Sequence, residues 1–197
     1  MEMAPNSSEW ICRLIMRIGI DISQIVYEGT GVARYVRKLV LSLVTLDQTN
    51  EYVLFGSSLR QRNKFYNFYK EIIQINKKTT LKAWWIPPML LDILWNQMHI
   101  FPIEWFLGDI DIFWSSDWTQ PPLNHAKGIT TIHDLSFFHF PESFHKTILS
   151  VQKRRLKQAK KECQSFLCDS QATKHDVQQL LHIEENKLHV IYPGFTL

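Results

Sequence analysis

The first residues to offer chemistry are His133 and Asp134, which follow the run Gly128-Ile129-Thr130-Thr131-Ile132 without a spacer. A glycine leading into a β-branched run is the pattern of a buried parallel strand. An ionisable pair therefore stands where that strand stops. In open α/β sheets, ligands gather outside the carboxyl ends of the strands. An imidazole there can donate or accept a hydrogen bond near neutral pH, and an adjacent carboxylate can fix its tautomer. The competing explanation is a histidine turned into a polar loop, with Asp134 capping the next turn.

A second pattern is Tyr27-Glu28-Gly29-Thr30-Gly31, followed at helical spacing by Val32, Tyr35, Val36, Leu39, Val40 and Leu43. Preceded by the strand-like Arg17 to Ile22, it reads as strand, glycine loop, helix. The first turn of such a helix has free N–H donors at its positive end, which bind anionic oxygen. Gly29, Thr30 and Gly31 are accordingly candidate phosphate contacts; a tight connection with no ligand is the alternative. The third glycine of the dinucleotide fingerprint is missing, since Arg34 stands there. The second strand, Tyr52 to Phe55, ends in Gly56-Ser57-Ser58 rather than an acidic residue for a ribose. Both departures argue against a nicotinamide dehydrogenase. His133, His139 and His145 invite a metal hypothesis, but their six-residue spacing matches neither a helical pair nor a zinc ribbon, and no metal is expected.

The elements that must position these residues alternate along the chain. Arg60 to Ile75 reads as a surface helix, Thr80 to Trp84 as a strand, and Leu90 to Phe101 as an aromatic helix after Pro87-Pro88. Gly108 to Trp114 forms a further strand, closed by Ser115-Ser116-Asp117. Trp118 to His125 is a loop into the central strand. Leu135 to Phe144 is crowded with phenylalanines. Ile148 to Cys163 is a helix with six basic residues, either a solvated face or a contact for anionic lipid headgroups. Ser165 to Cys168 is a strand ending in Asp169-Ser170. Thr173-Lys174-His175-Asp176 matches a capping box, and Leu188 to Tyr192 is a last strand stopped by Pro193-Gly194. This alternation predicts an α/β fold: a doubly wound, mostly parallel sheet with helices on both faces.

Composition narrows the class. With 45% hydrophobic residues in 197, a sizeable core can form. A net charge of +3 is too weak to argue for nucleic acid. Cys12, Cys163 and Cys168 lack a CxxC spacing and leave one unpaired, which reads as reduced thiols in a cytoplasmic protein. The longest apolar stretch, Ala83 to Leu107, is interrupted by Asp92, Glu104 and three prolines, so it reads as a buried or interfacial segment rather than a membrane span. Residues 1–16 read as an N-terminal extension, 17–192 as the domain, and 193–197 as the start of a linker.

The order of these motifs is what resembles a known family. Ile18-Gly19-Ile20-Asp21 with Gly29-Thr30-Gly31-Val32-Ala33-Arg34-Tyr35 resembles the start of glycosyltransferase family 4. Ile132-His133-Asp134-Leu135 with Phe140-Pro141-Glu142 resembles its mid-domain signature. Cys168-Asp169-Ser170-x-x-Thr173-x-x-Asp176, then Lys187 to Gly194, is similar to its closing strand and crossing to a second domain. The resemblance, from about Arg17 to Gly194, implies the N-terminal, acceptor-side, Rossmann-like half of a GT-B enzyme. Such an enzyme moves a hexose, in the manner of a mannosyltransferase, from a nucleotide sugar to a glycan or lipid-linked acceptor with retention, without a cofactor or metal. It implies that Gly29, Thr30 and Gly31 lie beside the donor phosphates, that His133 meets the reacting sugar and that Asp134 orients its loop. Trp118 and Phe137, with Trp114, would line the acceptor, and Ser170 would stand behind the site or simply cap a helix.

The family's donor half, with two ribose- and sugar-holding glutamates, has no counterpart in residues 1–197. The expectation is a chain inactive without a C-terminal donor domain or partner chain, because groups from both sides of the cleft are needed. A cytoplasmic protein, peripheral at the inner face of the membrane, is expected. Its uncovered cleft would favour self-association. The rival expectation is a non-catalytic module binding a glycan or partner on the same fold.

Overall fold

The computed structural model describes residues 15–194. The expectations for residues 1–14, Cys12 included, and for 195–197 lie outside the described residues.

Seven strands form one sheet: β1 (Arg17–Asp21), β2 (Glu51–Ser57), β3 (Thr79–Trp84), β4 (Ile112–Ser115), β5 (Lys127–Ile132), β6 (Cys163–Cys168) and β7 (Leu188–Val190). Their order is β3-β2-β1-β4-β5-β6-β7, and every neighbouring pair is parallel. The helices are α1 (Gly31–Leu46), α2 (Arg62–Ile75), α3 (Pro88–Leu91), α4 (Glu104–Leu107), α5 (Ser136–His139), α6 (Lys146–Glu162) and α7 (Gln171–Leu181). The expected α/β, doubly wound architecture is what the chain adopts.

Strand alternation divides the core. Tyr52 and Leu54 of β2, with Ile20 and Trp114, face α1 and α2, where Val36, Val40, Phe65, Phe68 and Ile72 are buried. Val53 and Phe55 face the other way, onto Leu91, Trp95, Ile103 and Leu107 of the β3–β4 crossover. A third cluster joins Ile132, Phe166 and Leu188 to α6 and α7. The helix expected on the surface over Arg60 to Ile75 thus buries a full apolar stripe, as an amphipathic helix must.

β5 lies inside the sheet, buried along most of its length. Its entry needs glycine: a Cβ at Gly128 would meet Glu162 O at 2.7 Å and Cys163 Cα at 3.0 Å, both backbone atoms. This close approach seats β5 against the start of β6.

The aromatic helix expected over Leu90 to Phe101 is shorter and differently built. α3 runs directly into π-helical turns, Asp92–Gln97, and the chain then reverses through His99 (φ 54°) and Phe101 (φ 62°). A bulky aromatic residue in the left-handed region is unusual. It is held here because Trp95 Nε1 donates to Phe101 O at 3.0 Å, while His99 bridges Trp95 O and Glu162. The strand expected from Gly108 begins only at Ile112, because Asp109 and Asp111 hook around Arg17: Asp111 Oδ2 accepts from Arg17 N at 2.7 Å. The capping box placed at Thr173 is also one turn late. Ser170 is the cap of α7, its Oγ accepting from Thr173 N at 3.0 Å.

Candidate functional site

β1 has neighbours whose connections leave in opposite directions, β2 on one side and β4 on the other. Such a topological switch point opens a crevice at the carboxyl ends of its strands. Asp21 ends β1; Ser115, Ser116 and Asp117 end β4; His133 follows β5; Asp169 follows β6.

His133 is mostly buried, at 18% side-chain exposure, and its Nδ1 lies 2.7 Å from Asp169 Oδ2. A carboxylate oxygen accepts, so the pair suits a proton on Nδ1 and leaves Nε2 as the ring nitrogen it does not use. The Tyr35 ring meets the imidazole edge-on with centroids 4.9 Å apart, and Thr173 Oγ1 donates to His133 O at 3.1 Å. The ring is thus fixed from α1, β6 and α7 at once. Asp134, expected to share the chemistry, is exposed, and its Oδ1 accepts from Ser136 N at 2.9 Å and from Ser136 Oγ. It caps the turn entering α5 and shapes the loop after His133. The carboxylate that orients the imidazole is Asp169, directly after the neighbouring strand β6, while Asp134 is turned into its own loop by Ser136.

A hollow of about 150 Å³ lies beside His133, lined among others by Val32, Asp117, Asp134, Phe137 and Arg155. Arg155 is not on a solvated face, as the basic pattern of α6 suggested. It is fully buried, donating through Nη2 to Ser116 O and Thr131 O, each at 3.0 Å, and to Thr130 Oγ1. Burial lowers its proton affinity, which Asp117 offsets. Asp117 is raised above the usual carboxylate range by burial, and the charges of Arg155 and His133 partly hold it down. Phe137 is 6% exposed and packs against Phe138 and Phe144, so its ring belongs chiefly to the core at this hollow's edge. Trp118 lines a separate small hollow with Ser23, Ser57 and Thr119, and its carbonyl accepts from Asn96 Nδ2. The two aromatics expected on one acceptor wall are therefore not brought together.

The glycine loop is exposed and open. Gly29 has φ +91°, which explains its glycine, and nothing stands within 4 Å of a Cβ at Gly29 or Gly31. Thr30 caps α1, Oγ1 accepting from Ala33 N at 3.2 Å. Gly29 and Thr30 border a hollow of about 390 Å³ between α1 and α2 that also contains Arg34, Arg37 and Lys64. Gly31 borders another, of about 590 Å³, with Arg34, Lys38, Tyr192 and Gly194. Val32 and Tyr35 link the first turn of α1 to His133. Ser170 is fully used as a helix cap, and the cap places Asp169 beside His133.

In the sequence Asp21 is legible only as part of the first strand and of the motif Ile18-Gly19-Ile20-Asp21. It is buried, with Oδ1 accepting from Ser23 N at 2.8 Å and Oδ2 without a partner. Burial pushes its carboxyl up to about 6. Asp21, Asp117, Asp169 and Arg155 share one legible signal, an ionisable residue at a strand end or in a helix beside one. Nothing in the sequence says which of them turn inward together. Among the described residues no group of three or more His, Cys, Asp or Glu side chains could hold a metal ion.

The comparisons with known proteins are consistent with this geometry. The model of Glycosyltransferase Family 4 matches residues 29–197, most of the chain, from the glycine loop through His133 to the last strand. No curated protein matches the chain. With this parallel sheet, its strand-end histidine and a family match over most of its length, the chain belongs to glycosyltransferase family 4.

Proposed function

We propose that the chain is the acceptor-side half of a retaining, nucleotide-sugar-dependent GT-B hexosyltransferase. His133 faces the reacting sugar through Nε2, hydrogen-bonding a hydroxyl or the leaving phosphate, and Asp169 holds its tautomer. The loop Gly29-Thr30-Gly31 takes donor phosphate oxygens on the first-turn N–H groups of α1, with Arg34 lining the hollows on both sides of the loop. Asp134 shapes the loop after His133. Trp118 and the edge of Phe137 contribute separate apolar contacts to a glycan or lipid-linked acceptor. No cofactor or metal is required by this scheme.

The observation that carries the reading is the His133–Asp169 pair at the carboxyl edge of the sheet, next to the α1 N-terminus. The hollow at His133 holds about 150 Å³, smaller than the 300–1,000 Å³ of ordinary ligand sites. A nucleotide sugar therefore needs a second wall, which a C-terminal donor domain or a partner chain supplies. The 197-residue chain by itself turns over little or nothing. Cys163 and Cys168 are free thiols in the core, in keeping with the cytoplasmic setting we assign to it.

The test is calorimetric titration with UDP-, GDP- and ADP-sugars, on the chain alone and with the polypeptide encoded immediately downstream. Binding and turnover are expected only in the combination. His133→Ala should then lower kcat by about 10²–10⁴-fold, the range for a proton-handling or oxyanion-contacting side chain. Asp169→Asn should lower kcat with little change in KM. Full turnover by His133→Ala would sink the assignment, and glycan binding without turnover in either setting would favour a non-catalytic module.

A further inference from the structure

Within the β3–β4 crossover, the stretch from Trp85 to Leu107 distributes its side chains in the reverse of a solvated surface. Its two acids point inward. Asp92 is 6% exposed and bonded to Arg154, Asn96 and Gln97; Glu104 is 8% exposed and accepts from the backbone N–H groups of Asn124, His125 and Ala126. Its large apolar residues point outward: Trp85 is 68% exposed, Met89 75%, Met98 58% and Trp105 68%, with Leu90, Ile93 and Phe101 also exposed. Ordinary folding places these groups the other way round. So many exposed large apolar side chains on one short segment, with Phe101 and Trp105 rings 5.6 Å apart, mark an interaction surface.

Its borders are cationic. On one side Arg62 lies over the Trp85 ring, 3.9 Å from the centroid. On the other, α6 is fastened to the crossover by Arg154–Asp92 at 2.7 Å, Gln158 Nε2 to Asn96 O at 3.1 Å and Glu162–His99 at 2.9 Å. These contacts use Arg154, Gln158 and Glu162 and leave Lys157, Lys160 and Lys161 of the same helix exposed, while Lys153 turns to the Phe138 ring. Glu162, the one acid in this part of α6, is occupied by His99 and by Leu123 N.

We propose that this face, Trp85 to Trp105 with the exposed lysines of α6, docks on an anionic lipid bilayer. Tryptophan, methionine and phenylalanine insert at the headgroup level, and Arg62 and the α6 lysines meet the lipid phosphates. Interfacial aromatics flanked by Lys and Arg are the chemistry that recognises such a surface, and Asp109, the exposed acid at the end of the crossover, is paired with His125 at 2.8 Å. A protein partner would more often present complementary acids or hydrogen-bonding groups, and the outer side of this crossover offers few polar atoms to match. Among the described residues no helix is long and apolar enough to cross a membrane, so the contact is peripheral. The proposal does not depend on glycosyl transfer.

The test is flotation of the full chain with phosphatidylcholine vesicles, with and without about one-third phosphatidylglycerol, at low and high salt. The expected result is flotation with the anionic vesicles, weakened by salt. Trp85→Ser with Trp105→Ser, both exposed enough to leave folding intact, should cut binding at least tenfold. Lys157→Glu with Lys160→Glu should cut it at least fivefold on anionic vesicles only. Circular dichroism melts unchanged from the parent would confirm that each variant is folded. No flotation with anionic vesicles overturns the proposal, as does undiminished flotation of the folded tryptophan variant. Self-association that the tryptophan variant abolishes, without any flotation, would assign the face to a second copy of the chain instead.

Discussion

Asp21→Asn should stabilise the protein at neutral pH and do nothing at acid pH. The carboxyl is buried at the end of β1, with Oδ2 unpartnered, and its pKa is raised from 3.8 to about 6. A raised folded-state value means that between pH 4 and 6 the native state holds a proton that the unfolded state has released. By linkage, stability then falls as pH rises through that window, and the penalty is complete above about pH 7. A displacement of roughly two units corresponds to about 3 kcal/mol. Asparagine keeps an acceptor for Ser23 N and carries no charge, so the variant should recover about 2–3 kcal/mol at pH 7.5. For a domain of this size that is a rise in Tm of roughly 4–12 °C.

Urea unfolding of parent and variant at half-unit steps from pH 4 to 8 measures the difference, and taking the difference cancels the other carboxylates. The difference should be near zero at pH 4, climb between pH 4.5 and 6.5, and level off above pH 7. A difference that is flat with pH, or that decreases toward neutrality, would refute the argument that burial dominates this carboxyl.

Two further substitutions probe the scaffold. Gly128→Ala drives a methyl into Glu162 O and the Cys163 backbone and should cost about 3 kcal/mol in urea unfolding; a loss below 0.5 kcal/mol would mean β5 and β6 are not so closely seated. Ser170→Ala removes the α7 cap and should cost about 1 kcal/mol while speeding amide exchange at Thr173, and an unchanged exchange rate there would show the cap to be idle.

Much of the fold was legible from one-dimensional pattern. Apolar periodicity identifies β1, β5, α1 and α6, because burying one face or a whole strand leaves a period that any chain must carry. The helix-breaking signals misled where tertiary contacts override them. The aromatic helix after β3 ends early because Trp95 bonds both His99 and Phe101, and Glu162, 63 residues away, bonds His99, where the backbone is left-handed. Ser170, the alternative cap, serves α7 in place of the Thr173 box because it follows the end of β6 and its Oγ reaches Thr173 N at 3.0 Å.

His133 was evident as a strand-end imidazole, and the family could be recognised from the order of the motifs around it. Its partner could not. Asp134 is adjacent in sequence but turned into its own loop, while Asp169, 36 residues away, is brought to 2.7 Å by the parallel pairing of β5 with β6. Arg155 likewise reads as one of a run of solvated cations, and only the packing of α6 under β5 drives it beneath the site. Local sequence determined which residues could do chemistry and which elements carry them. The register of parallel strands, a long-range property, decided which of those residues meet. It also decided that the crossover would turn Asp92 and Glu104 inward and leave Trp85 and Trp105 exposed.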